Sequence, residues 1–354
     1  MTKFFRTFVP MKQEKDLQAT PFAAILLQWF ASNGRDLPWR HTRDPYQIWL
    51  SEVILQQTRI DQGRDYWLRF VSRWPTVDKL AQATEDEVLR QWQGLGYYSR
   101  ARNLHAAARQ VVGLGAFPTT LDGLRKLKGV GDYTAAAIAS FAFGQRAAVV
   151  DGNVYRVLSR FFGIDTPINT TEGKHLFAAL AAELLPDARC DEYNQALMDF
   201  GATQCTPAAP RCDDCPLADA CEALASRRVA QLPVKERRLT VKERQLTYLY
   251  IRCKGQTAIR QRGPGDIWQG LWEPVNISDN PSLATLLSGS RLLAKDLRHQ
   301  LTHRLLLADF YLLTVDEQPP LPADYVWIDE ARIDDYAIPR LVEHLLETLS
   351  EAAG

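Results

Sequence analysis

The stretch Leu127 to Arg156, LKGVGDYTAAAIASFAFGQRAAVVDGNVYR, constrains the fold more than any other part of this chain. The glycine-flanked turn Gly129-Val130-Gly131 leads into an alanine-rich helical pattern, and the apolar run Ala147 to Val150 arrives at Asp151-Gly152-Asn153. This reads as helix, tight glycine turn, helix, and then a carboxylate at the mouth of a third helix. Such a turn is expected to leave consecutive backbone N–H groups pointing outward at a helix N-terminus, where they can hold a phosphate. Asp151 also suits the N-cap of the helix that follows it, because its side chain can accept from the first free N–H groups.

At 354 residues the chain exceeds one ordinary core, so two domains are expected. A hydrophobic share of 46% and a charged share of 24% are those of a globular protein. No apolar run approaches the roughly 18 residues of a membrane span, and the first twenty residues lack a continuous apolar segment followed by a small-residue cleavage site. A cytoplasmic protein without a membrane partner is the expectation. Net charge is zero, but residues 245–354 carry 10 Lys and Arg against 15 Asp and Glu, leaving 32 against 27 before them. The first part is mildly basic and the second acidic, a weak pointer to an anionic partner for the first part alone.

Helical patterns fill the chain from residue 22 to about 225: 22–30, Pro45 to Tyr66, Val77 to Trp92, Ser99 to Val112, Leu121 to Leu127, Tyr133 to Phe143, Asn153 to Phe162, Glu172 to Leu185, and Tyr193 to Gly201. No convincing period-two stretch interrupts them. Between Arg227 and Arg244 seven Lys or Arg face only Glu236 and Glu243, without apolar periodicity, which reads as a basic linker. Beyond it LTYLYIRCKGQTAIRQR alternates like a hairpin, GLWEPVNI and ADFYLLTV resemble strands, and Ile338 to Leu349 resembles a closing helix. The expected domains are a tail at 1–21, a helical domain at 22–226, a linker at 227–244, and an α+β domain at 245–354.

Four of the six cysteines form Cys205-x6-Cys212-x2-Cys215-x5-Cys221, a loop with Pro207, Pro210 and Pro216 and little apolar material of its own. Outside an oxidising compartment such crowding argues for metal rather than disulfides. Zinc and an iron-sulfur cluster both accept four thiolates, and the spacing alone favours neither. Cys190 and Cys253 stand apart and read as packing residues.

Together these motifs resemble the endonuclease III-like helix-hairpin-helix DNA glycosylase superfamily. GVGDYTAAAI followed by VDGNVYRVLSR resembles its hairpin and downstream Asp, and the cysteine spacing is that of its [4Fe-4S] loop at 205–221. Within the superfamily, LPWR, YQIWLSEVILQQT and GLGYYSRARNLH resemble the adenine DNA glycosylases that act opposite 8-oxoguanine. The resemblance covers residues 22 to about 350. It implies an all-α, two-lobed glycosylase domain with an iron-sulfur loop, followed by a C-terminal α+β Nudix-like domain. It also implies a monomer acting on double-stranded DNA in base excision repair, in the cytoplasm or on the nucleoid.

Cleaving an N-glycosidic bond requires a proton on a poor leaving group and an anion beside a developing oxocarbenium ion, a division of labour that two carboxylates can perform. By the resemblance Glu52 protonates the flipped adenine and Asp151 stabilises the cation, with Asn153 positioning Asp151. Tyr133 occupies the position where strand-cleaving relatives carry a Schiff-base lysine, which implies base removal without strand cleavage. Flipping a base leaves a gap to fill: Gln57 resembles the intercalating residue, and Tyr97 wedges beside the 8-oxoguanine. By the same resemblance Leu37, Trp39, Arg40 and Gln195 would line the adenine pocket, and Gly129, Val130 and Gly131 would grip the DNA backbone. The resemblance further implies that Cys205, Cys212, Cys215 and Cys221 hold the cluster and that Leu301, Thr302 and His303 match the 8-oxoguanine reader.

Two departures stand out. Leu301 replaces the aromatic residue of the family's reader loop, so discrimination of 8-oxoguanine is expected to be weaker or differently achieved. NISDNPSLATLLSG stands where a Nudix hydrolase would carry a helix of clustered glutamates, so the C-terminal domain is expected to recognise rather than catalyse. Three rival readings weigh less. A pyrimidine-lesion glycosylase with lyase activity conflicts with Tyr133, a non-catalytic iron-sulfur DNA-binding protein does not require both carboxylates, and a Nudix hydrolase lacks its glutamate helix.

Overall fold

The computed structural model describes residues 21–236 and 241–351. The expected N-terminal tail lies outside the described residues except for Pro21, which opens the first helix, and residues 237–240 of the expected linker lie outside them too. The helices run in order α1 (Pro21–Asn33), α2 (Pro45–Ile54), α3 (Ile60–Arg73), α4 (Val77–Gln82), α5 (Glu85–Trp92), α6 (Ser99–Leu114), α7 (Leu121–Arg125), α8 (Asp132–Phe141), α9 (Gly152–Phe162), α10 (Thr171–Leu184), α11 (Cys190–Asp199) and α12 (Glu222–Ala225). Six strands follow: β1 (Lys242–Cys253), β2 (Gln256–Gln261), β3 (Trp272–Asn276), β4 (Arg291–Gln300), β5 (Arg304–Val315) and β6 (Tyr325–Asp329). Helix α13 (Arg340–Glu351) closes the chain. A helical body and then an α+β domain is the architecture that the sequence patterns anticipate. Among the described residues no helix is long and apolar enough to cross a membrane.

Two of the expected helices are each divided in the structure. The pattern from Pro45 to Tyr66 breaks after Ile54 because Gln57 turns the chain with φ at +57°, outside the helical region. The pattern from Val77 to Trp92 breaks at Thr84, whose side chain accepts from the Glu87 N–H while Glu87 reaches back to the Thr84 N–H. That reciprocal capping box starts a new helix inside a continuous apolar periodicity.

The helices fall in two compact units. The first comprises Met1–Leu37 and Ala136–Glu236, the second Pro38–Ala135 and Arg237–Gly354. The expected helical domain at 22–226 is thus divided between them. In the first unit Leu26, Trp29, Leu158, Phe177, Tyr193 and Phe200 form the core. The stretch 227–236, expected as linker, is packed there: Arg160 Nε donates to the Leu232 carbonyl at 3.0 Å, and the Ile168 N–H to the Val234 carbonyl at 3.0 Å.

In the second unit the helices pack through edge-on aromatic contacts such as Phe70 against Trp92, 5.8 Å apart. The strands form one mixed sheet in the order β4-β5-β1-β3-β2-β6, with β1 and β5 parallel. Alternation along β1 sends Leu246, Tyr248 and Tyr250 into one core with Leu341 and Leu345 of α13, and Leu249 and Ile251 into the opposite core. The expected β1–β2 hairpin forms, but its two strands pair only beside the turn. A 3-10 helix at Pro281–Leu287, without a glutamate, follows β3.

Fully buried Glu273 accepts from Tyr248 and from Arg260 and Arg262, and Asp266 and Asp279 with Arg244 complete the charge balance of three arginines against three carboxylates. Buried charges persist only when paired in this way.

Candidate active site

Glu52 lies near the C-terminal end of α2 and is only 8% exposed. Asp44 starts that helix, accepting from the Tyr46 N–H at 2.9 Å with Pro45 in the first helical position. The Tyr133 hydroxyl donates to Glu52 Oε2 at 2.6 Å. Next to it, Gln56 Nε2 donates to Thr134 Oγ1 at 3.3 Å, so the end of α2 is tied twice to the first turn of α8. The residue marking the missing lysine is therefore a hydrogen-bond donor to the expected acid.

The turn before α8 differs in one respect from expectation. Gly129 has φ at +76°, and a Cβ there would meet the Asn103 Cβ at 2.6 Å, so only glycine fits. The Val130 side chain is buried, and its N–H is already committed to the Leu127 carbonyl at 3.1 Å. The expected run of outward donors is thus interrupted at Val130, whose N–H closes the turn.

Asp151 caps α9. Its Oδ1 accepts from the N–H groups of Asn153 and Val154, each at 2.8 Å, and its Oδ2 accepts from Asn153 Nδ2 at 2.7 Å. Burial pushes the carboxyl above its ordinary value of 3.8, outweighing those hydrogen bonds and the Arg156 charge, which pull it down. Arg156 Nη2 donates to Asn153 Oδ1 at 2.8 Å and to the Gly201 carbonyl at 2.6 Å, while its Nε donates to the Cys205 carbonyl at 2.7 Å. Hydrogen bonds therefore run unbroken from the Asp151 carboxylate to the first cysteine of the loop.

All four cysteines of that loop line one cavity with Arg160 and Gln204. Arg160 donates to Cys205 Sγ at 3.4 Å and to the carbonyls of Thr206 and Pro207, fixing the loop's entry. Cys215 is pushed up to about 11, first by burial and then by the neighbouring thiols. Among the described residues no three His, Cys, Asp or Glu side chains form a group already closed enough to hold a metal ion. Tetrahedral zinc, at about 2.3 Å from each sulfur, would draw its thiolates to roughly 3.8 Å from one another. Four thiols around one cavity are a donor set that either zinc or an iron-sulfur cluster could take up. Cys190 and Cys253 are buried elsewhere, the Cys190 thiol donating to the Gln145 carbonyl.

Gln57 and Tyr97 are exposed and both have left-handed backbones, with φ at +57° and +46°. Each such residue costs about 1 kcal/mol or more unless its surroundings hold it. The Tyr97 hydroxyl is hydrogen-bonded to Thr302 Oγ1. Thr302 and His303 form the exposed tip between β4 and β5, while Leu301 packs against the sheet core. Beside this contact, within the second unit, a cavity of about 530 Å³ is lined by Tyr97, Arg102, Trp268, His299 and Thr302. Of the expected pocket residues, Leu37 and Gln195 belong to the first unit and Trp39 and Arg40 to the second. Trp39 is buried against the Trp67 ring at 5.9 Å, and Leu37 is buried as well.

Sequence reasoning missed three arginines, Arg100, Arg156 and Arg160, whose donors satisfy loop carbonyls. A signal was present in α9, where Arg156 and Arg160 stand four apart among Val154, Val157 and Leu158 and so share one side of an apolar helix.

Comparison with known proteins agrees with this layout. The model of HhH-GPD superfamily base excision DNA repair proteins matches residues 50–182, and that of the NUDIX domain matches residues 247–348. The adenine DNA glycosylase of Mus musculus is 45% identical over 215 residues, covering 58% of this chain and 42% of that protein. That of Buchnera aphidicola subsp. Baizongia pistaciae (strain Bp) is 32% identical over 292 residues, covering 80% of this chain and 83% of that protein. The chain spans about two fifths of the length of the mammalian relatives that it matches. Among solved structures, a thermostable thymine-DNA glycosylase superposes with a TM-score of 0.54 at 32% identity, over 58% of this chain and 95% of that one. Endonuclease III in a trapped covalent intermediate with DNA gives 0.51 at 22% identity, over 58% and 94%, a likeness of fold.

Proposed function

This chain belongs to the adenine DNA glycosylase family, and from that membership we propose that it hydrolyses the N-glycosidic bond of adenine mispaired with 8-oxoguanine in double-stranded DNA. Residues 22–226 carry the chemistry, 227–244 connect, and 245–354 read the opposite strand. The observation that carries the reading is the Tyr133 hydroxyl donating to Glu52 Oε2 at 2.6 Å. A buried carboxyl oriented by a neutral phenol suits a proton donor, and no amine stands at position 133 to attack the sugar.

In the proposed reaction Gln57 and Tyr97 fill the gap left when adenine leaves the stack, and Leu37, Trp39, Arg40 and Gln195 receive the base. Glu52 gives its proton to the adenine ring, the bond from nitrogen to C1′ breaks, and the electron pair leaves with the base. Asp151, held by Asn153 and two backbone N–H groups, faces the oxocarbenium ion as a carboxylate. Water then adds to C1′, and its proton returns to Glu52. Gly129, Val130 and Gly131 shape the turn that meets the DNA backbone, with the Val130 N–H closing the turn itself. Thr302 and His303, with Leu301 packed behind them, read the 8-oxoguanine edge.

A [4Fe-4S] cluster would be held by Cys205, Cys212, Cys215 and Cys221, and when bound it would fix the loop that Arg156 links to Asp151. One panel of duplexes tests the function: adenine opposite 8-oxoguanine, G, C or T, scored for strand breaks with and without alkali. Breaks only after alkali, greatest opposite 8-oxoguanine, are expected. Breaks without alkali would refute base removal alone.

A further inference from the structure

Gln57 and Tyr97 reach their places by different routes in sequence, one at the end of α2 and the other just before α6, yet one side chain serves both loops. Arg100, in the first turn of α6, donates from Nη1 to the carbonyls of Val53 at 3.0 Å, Ile54 at 3.1 Å and Gln56 at 2.5 Å. Its Nη2 donates to the carbonyls of Leu95 at 3.2 Å and Gly96 at 3.3 Å. The first two acceptors are closing carbonyls of α2, which have no N–H partner within the helix, and a cation at a helix C-terminus also opposes the helix dipole. The guanidinium lies 5.0 Å from the Trp92 ring centre and 5.7 Å from that of Tyr97. Burial pushes its pKa down to about 10, so it stays charged at neutral pH.

We propose that Arg100 is the positioning residue that holds Gln57 and Tyr97 in their left-handed conformations before DNA arrives, so that both can enter the duplex together. This rests on the reading of Gln57 and Tyr97 given above. Five acceptors in two segments of the chain need the planar, forked set of donors that guanidinium has; a lysine has three donors on one point and cannot span them. Gln57 and Tyr97 are themselves exposed, and Arg100 holds the carbonyls just before each of them, Gln56 in one segment and Leu95 and Gly96 in the other, while the Tyr97 hydroxyl has a separate bond to Thr302. Loops ordered in advance lose less freedom on binding, and the gain falls on the step where the base is unstacked.

The test compares full-length wild type, Arg100→Lys, Arg100→Ala and Gln57→Ala on a duplex with adenine opposite 8-oxoguanine and 2-aminopurine beside the adenine. Thermal unfolding, duplex affinity, 2-aminopurine fluorescence and single-turnover excision are read for each. Arg100→Lys is expected to unfold cooperatively and bind undamaged duplex within about threefold of wild type, with the fluorescence rise and the excision rate both down by about tenfold or more. Added methylguanidine should restore part of both signals in Arg100→Ala and none in Gln57→Ala. Wild-type fluorescence and excision in Arg100→Lys would overturn the proposal, as would an Arg100→Ala defect that methylguanidine leaves unchanged. If Gln57→Ala lowers the fluorescence rise but Arg100→Lys does not, the proposal fails and the function of Gln57 stands; if neither does, both fail.

Discussion

The Tyr133 hydroxyl donates to Glu52 Oε2 at 2.6 Å, joining the first turn of α8 to the buried end of α2. Tyr133→Phe keeps the ring and removes only this donor. Single-turnover excision from the adenine to 8-oxoguanine duplex should fall by about ten- to a hundredfold, the range of one oriented hydrogen bond to an ionisable group, with duplex affinity unchanged. An unaltered rate in a rapid-quench assay would remove Tyr133 from the account.

Asp151 combines a cap with a buried carboxylate, and two substitutions separate these roles. Asn caps a helix as well as Asp does, so Asp151→Asn should abolish excision while keeping the cap; Asp151→Ala should cost about 1 kcal/mol more in stability. The carboxyl is pushed above 3.8 by burial, so the folded state binds its proton more readily than the unfolded state does. Its contribution to stability is greatest in acid and is lost as pH rises through the raised value. Asp151→Asn should therefore be more stable than wild type at neutral pH, with the difference shrinking toward acid. Chemical denaturation across pH checks this, and a wild type more stable than Asp151→Asn at neutral pH would contradict it.

Arg156 links Asn153 to the Cys205 carbonyl. Arg156→Gln should reduce excision while leaving iron content and visible absorbance near those of wild type, whereas Cys215→Ser should lower iron content directly. Equal loss of iron in both variants would make Arg156 a support of the loop alone.

Thr302 meets the Tyr97 hydroxyl through its own. Thr302→Val preserves shape and removes that bond, worth about 1 kcal/mol or roughly fivefold. The ratio of excision opposite 8-oxoguanine to excision opposite G should narrow by about that factor. A constant ratio, measured under single-turnover conditions, would show that Thr302 does not read the lesion.

Glu273 is fully buried against Arg260 and Arg262. Glu273→Gln leaves Arg244, Arg260 and Arg262 facing Asp266 and Asp279, one counter-charge short, and about 3 kcal/mol of stability should be lost in urea unfolding followed by fluorescence. A loss below the range of ordinary surface substitutions would indicate that water reaches the cluster.

Local chemistry was legible in the sequence where one residue's role depends on its neighbours in the chain. The Asp151 cap, the glycine at 129, the cysteine loop and the alternation of β1 are of that kind. What was hidden depends on distant partners. Nothing in the pattern from Pro45 to Tyr66 marks a turn at Gln57, because its backbone is held by Arg100 rather than by a glycine. Arg160 likewise reads as surface charge, although it binds the Thr206 carbonyl at the start of the cysteine loop and the Leu232 carbonyl in the stretch after it. The stretch 227–236 looks like a linker because it lacks periodicity, yet it is secured to the helical unit by the Ile168 N–H and by the side chains of Arg160 and Asn169. Strand β4 is polar and bulged against β5, so no alternation announces it.

The central claim is that Glu52 supplies the proton for adenine release. The most direct measurement is free adenine released by wild type and by Glu52→Gln from one duplex bearing adenine opposite 8-oxoguanine, with binding measured on the same samples. The account predicts that wild type releases adenine, and that Glu52→Gln binds within about threefold of wild type but releases none. Adenine release by Glu52→Gln at the wild-type rate would contradict it.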